Sequence, residues 1–173
     1  MVYERKFITD IAGVIESKAP ELGLTVARPI STVKRFLAKL MTHVTKDILL
    51  KMYPELSRPA ELWIVGLKAI LPLYWHVIER IPKEKIAEWV LDYLKNGVLP
   101  KEAIETVESE VIKLLKTAPR ELENILPKEK FVKFQEGIKT LLTVADALGY
   151  KLSPEFAELV SYYSIGRVAK ATA

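Results

Sequence analysis

The side chains that could carry chemistry are few. Glu84, Glu88 and Asp92 recur every four residues, and Glu102, Glu105, Glu108 and Glu110 crowd the following segment. On a helix the first set shares one face, as carboxylates that bridge metals do. A di-iron bundle also needs Glu-x-x-His from two helices, and neither His43 nor His76 has a glutamate three residues before it. The chain has no cysteine, which excludes disulfides, thiolate zinc sites and cysteine nucleophiles. No phosphate-binding loop, dinucleotide fingerprint, HExxH or GxSxG occurs. The acidic faces therefore read as solvated. His76, between Trp75 and Val77, reads as a satisfied core histidine, and His43 as a contact residue with no orienting partner. The chain is read as non-enzymatic, with no metal and no cofactor.

The cations are more informative. Lys and Arg number 26 against 22 Asp and Glu, a net charge of +4. From Leu22 to Lys46 there is no acidic residue, yet Arg28, Lys34, Arg35, Lys39 and Lys46 are all present. At about 100° per residue, Arg35, Lys39 and Lys46 share a narrow sector opposite Leu37, Leu40 and Val44. Thr42 and His43 border that sector. Cations and neutral donors contact phosphates without reading sequence, so this stripe suits a nucleic-acid backbone. An ordinary solvated face is the alternative, although such faces usually mix both signs. No acid follows Glu158, and Tyr162 and Tyr163 precede Arg167 and Lys170. Tyrosines beside cations stack on bases or bond phosphates; they also pack in cores and oligomer interfaces. Residues 1–60 hold ten basic and six acidic side chains, and residues 61–126 nine and eleven. A basic end and an acidic middle suit head-to-tail docking of copies, the contact that builds open filaments.

Helices must position these groups. The 10 prolines fall mostly where helices begin or stop. Ile81-Pro82-Lys83-Glu84, Leu99-Pro100-Lys101-Glu102 and Leu126-Pro127-Lys128-Glu129 repeat one start signal, with proline expected at the first helical position and glutamate facing the positive end of the dipole. Ser153-Pro154-Glu155 is a serine-capped start, and Gly97 and Gly149 are stops. The pattern predicts helices over 4–18, 32–53, 59–80, 82–96, 100–117, 119–126, 127–148 and 154–168, with no strand-like alternation. The class is all-α: a compact bundle of about seven to eight helices over 31–173, preceded by an N-terminal arm over 1–30. Residues 62–78 are apolar on nearly every face but short for a membrane span, which needs ~20 apolar residues. They read as bundle centre or subunit interface, with Trp63, Leu67, Ile70, Tyr74, Tyr162 and Tyr163 as the expected contacts between copies.

Only one Gln and two Asn occur while Lys and Glu abound, the compositional habit of hyperthermophile proteins. The charged start, Met1 to Lys6, is unlike a signal peptide, so the expected location is the cytoplasm or a virion. A cysteine-free helical chain, an arm over 1–30 and a basic helix carrying Arg35, Lys39 and Lys46 resemble the coat proteins of filamentous viruses of hyperthermophilic archaea. The resemblance implies a small helical subunit that wraps double-stranded DNA and self-associates or pairs with a paralogous subunit. The acids at 102–110 depart from a DNA-facing surface and would face a neighbour or solvent. A helical small subunit of an archaeal RNA-guided effector and a protein-binding helical adaptor are the alternatives.

Overall fold

Proline and glycine set most of the element boundaries. The computed structural model describes residues 2–163. Helix α1 spans Val2–Lys18 and runs into a 3-10 turn, Ala19–Leu22, which Gly23 ends at φ 71°. Then follow α2 Pro29–Met52, α3 Pro59–Glu79, α4 Lys83–Asn96, α5 Lys101–Leu115, α6 Pro119–Ile125 and α7 Lys128–Ala147. A second 3-10 turn, Pro154–Phe156, leads into the short α8, Glu158–Tyr162. No strand occurs among the described residues, so the all-α class holds.

The three repeated starts fall one residue later than their sequence suggests. Pro82, Pro100 and Pro127 occupy the cap with ψ of 135°, 133° and 146°, and the helix proper begins at the lysine. Proline there costs nothing, because the cap N–H has no helical partner, while its carbonyl still accepts the first helical bonds. Ile86 N–H donates to the Pro82 carbonyl at 3.2 Å, Ile104 to Pro100 at 3.2 Å and Phe131 to Pro127 at 3.0 Å. Ser153 caps the second 3-10 turn by accepting from the Glu155 N–H. Gly97 stops α4 at φ 77° and donates to the Tyr93 carbonyl at 2.8 Å, a left-handed cap that a side chain would strain.

Helix α3 is the centre of the molecule, packed by α2, α5 and, most extensively, α7. It continues through Pro72 without a break. By length and composition it could cross a membrane, but more than half of its apolar stretch is buried among the other helices. Ile70 and Tyr74, expected at a subunit interface, are fully buried inside the single chain. An apolar helix covered by three neighbours presents these side chains to its own core, so neither is available to a second copy. Tyr163 is likewise buried, its ring edge-on to Phe134 of α7 at 5.5 Å.

The expected arm is also corrected. Phe7, Ile8, Ile11, Ala12 and Ile15 of α1 are buried in the same core cluster as α2 and α4. Lys83 of α4 reaches Asp10 at 2.5 Å and holds its carboxyl below the usual range by that bond. Helix α1 is thus a member of the bundle, and no boundary in the core falls at residue 30.

One polar pair crosses the interior. The Tyr74 hydroxyl donates to the Met41 carbonyl at 3.2 Å, and the buried Thr45 hydroxyl meets the phenol oxygen at 2.6 Å. Burial raises the Tyr74 phenol well above its ordinary value.

Candidate nucleic-acid interface

Helix α2 buries Val33, Phe36, Leu37, Leu40, Met41, Val44 and Ile48 against its neighbours, which turns the opposite sector outward. Arg28, Lys34, Arg35, Lys39 and Lys46 are all exposed. Among the described residues none of the five forms an ion pair within 4.0 Å. Elsewhere some cations are matched and others, such as Lys68, Lys95, Arg120 and Lys133, are not, among the described residues. Lys85 lies 2.8 Å from Glu102, Lys116 2.6 Å from Glu155, and Lys51 bonds Glu108 across α2 and α5. The Glu108 bond raises the Lys51 ammonium above its ordinary value.

Lys39 is the most constrained cation of the stripe. Its Nζ lies 5.3 Å from the ring centroid of Tyr93 on α4, and Tyr93 also packs against Phe36 at 5.8 Å. The aromatic face favours the ammonium, so Lys39 is positioned by a ring rather than by a carboxylate among the described residues. Arg28 lies at the cap of α2, where its carbonyl accepts the Thr32 hydroxyl at 2.8 Å.

The border of the stripe differs from its expected form. The Thr42 hydroxyl donates to the Ala38 carbonyl at 2.7 Å, so its proton is committed to the helix and is not free for a phosphate. His43 Nε2 sits 3.3 Å from Asp47, one turn further on. The acid-free run ends at that carboxylate, which flanks Lys46. Leu50 continues the same face, 44% exposed. The stripe is therefore a row of cations with an acidic stop and an apolar end.

Of the expected interface residues, Trp63 and Leu67 of α3 and Tyr162 of α8 are half-buried at the surface, and the Tyr162 hydroxyl donates to Glu158 at 3.0 Å. Helix α3 leaves Ile64 63% exposed and Leu71 37% exposed; these complete the outer apolar face with Trp63 and Leu67, and were absent from the expected set. The i, i+3, i+7 spacing of Ile64, Leu67 and Leu71 contained that signal, but a helix apolar on all sides does not reveal which side stays outside. Arg167 and Lys170 lie outside the described residues. No group of three or more metal-ligating side chains is assembled among the described residues.

Fold and surface define a class: a helical bundle with one cationic helix face and an apolar helix partly open to solvent. No protein-family model, curated protein or solved structure matches the chain.

Proposed function

We propose that the protein is a non-enzymatic subunit that binds the backbone of nucleic acid, duplex DNA first, and coats it by assembling with further copies as a capsid or nucleocapsid protein. The supporting observation is the outward face of α2, where Arg35, Lys39 and Lys46 are exposed and unmatched by carboxylates among the described residues. Such a face neutralises phosphates and releases counterions without reading bases. The outer face of α3, with Ile64 and Leu71 in water, offers a surface for a neighbouring subunit.

The test is the salt dependence of binding to long duplex DNA. With roughly five phosphate contacts, the log–log slope per subunit is expected at about −4 to −5, indifferent to base sequence. Replacing Arg35, Lys39 and Lys46 by glutamine is expected to reduce the slope by about three units without loss of helix, because all three face away from the core. A wild-type slope in that triple variant removes the reading. Tighter binding to single-stranded RNA than to duplex DNA favours the effector-subunit alternative. Absence of binding to either favours the protein adaptor.

A further inference from the structure

A cleft of about 450 Å³ opens where the end of α3 meets α4, α5 and α6, within the ~300–1,000 Å³ range of small-molecule sites. It shares no residue with the cationic face of α2. Val77, Ile81, Leu114 and Ile125 supply apolar walls. Trp89 adds a buried indole whose Nε1–H meets no acceptor among the described residues.

Among the lining groups Arg80 and Lys85 equal Glu102 and Glu110 in number but not in pairing. Glu102 is matched by Lys85 at 2.8 Å and Glu110 by Lys113 at 3.5 Å. Arg80, at the rim, has no carboxylate within 4.0 Å among the described residues and so leaves one positive charge unmatched. His76 is only 8% exposed, lines the cleft, and makes no hydrogen bond within the protein among the described residues. Its core position is as expected, and what differs is that no protein group among the described residues bonds its ring. Burial first, then the charges of Arg80 and Lys130, lowers its basicity, so at neutral pH it offers one N–H donor and one acceptor. Buried polar groups ordinarily have partners; the Trp89 Nε1–H lacks one among the described residues, and on the same cleft His76 has a ring that no protein group bonds.

We propose that this cleft binds a small amphipathic carboxylate, its apolar body among Val77, Ile81, Leu114 and Trp89 and its carboxylate between the Arg80 guanidinium and the His76 N–H. Arg80 supplies the charge, His76 a directed donor, and the indole wall a flat surface that favours an aromatic or short alkyl body.

The full chain is titrated calorimetrically with 1-naphthylacetate and with octanoate, and the uncharged 1-naphthylacetamide serves as isostere. One-to-one saturable binding of at least one carboxylate is expected, with the amide about tenfold weaker than its acid, as befits loss of one charge-assisted bond. Arg80→Gln is expected to weaken the acid by about tenfold and leave the amide unchanged. In two-dimensional NMR spectra the Trp89 indole N–H is expected to shift, while those of Trp63 and Trp75 stay in place. Arg80 is exposed, so the variant is expected to melt with the wild type; if it does not, the acid-to-amide ratio on wild-type protein decides alone. Equal binding of acid and amide, unchanged affinity in a folded Arg80→Gln, or no saturation by either carboxylate at millimolar concentration overturns the proposal.

Discussion

Gly137 of α7 lies so close to Ala69 of α3 that a Cβ added to the glycine would stand 2.7 Å from the Ala69 Cα. Two helix backbones touch there with no side chain between them, and the most extensive helix pair of the fold is that of α3 and α7. Gly137→Ala is expected to destabilise the protein by about 1–3 kcal/mol, because backbone atoms cannot yield as a flexible side chain would. At Gly13 on α1 an added methyl would meet no atom within 4 Å. There the same substitution is expected to stabilise by about 0.5–1 kcal/mol through helix propensity alone. Denaturant titration of the two variants reads opposite signs.

Thr45 and Tyr74 hold the only hydrogen bond between two buried side chains found among the described residues. Tyr74→Phe removes the bond to the Met41 carbonyl as well and is expected to cost about 1–3 kcal/mol. Thr45→Val leaves the phenol bonded to Met41 and is expected to cost less. The double variant is expected to fall short of the sum by about 0.5–3 kcal/mol, the coupling of contacting residues.

Alkali tests the buried phenols. Tyr53, Tyr74 and Tyr163 are all raised above their ordinary value of 10.0, burial being the largest cause, with Tyr163 pushed up to about 12. The folded state therefore holds these protons more tightly than the unfolded chain. Their contribution to stability is complete below pH 10 and is lost as pH climbs through the folded values, for Tyr163 between 10 and about 12. Tyrosinate absorbance is expected to rise together with loss of helical dichroism above pH 10. Tyr163→Phe is expected to remove part of that dependence.

Most helices were legible before the structure, because proline, glycine and apolar spacing act locally. Val33, Leu37, Leu40, Val44 and Ile48 mark the buried side of α2 as the wheel implied. The same local signal said nothing about what a face packs against. Phe7, Ile11 and Ile15 announced a buried side of α1 but not its docking on α2 and α4, and so an arm was expected. Ile70 and Tyr74 sit on a helix apolar all round, where no periodicity separates core from subunit contact. The cationic stripe was legible as charge. The diversion of the Thr42 hydroxyl into its own helix was not, since a threonine bonded to its helix and one free to donate have the same sequence.

Asp47 offers a gain-of-binding test of the α2 face. Its carboxylate pairs with His43 at 3.3 Å and stands at the end of the cation row. Asp47→Asn is expected to tighten duplex DNA at low salt by roughly threefold, the scale of one exposed charge, and to leave the salt slope unchanged since no phosphate contact is added. Fluorescence anisotropy at two salt concentrations reads both quantities.

The packing of α3 also has a consequence for biosynthesis. Its broadest partner, α7, begins at Lys128, long after Glu79 has been added to the growing chain. During that interval a 21-residue apolar helix leaves the ribosome before the surface that covers it exists. Contacts so distant in sequence form late and leave intermediates sticky. A nascent chain stalled between Glu79 and Lys128 is thus the form of this protein most exposed to aggregation and to chaperone capture, while a chain released after Ala147 already carries its own cover.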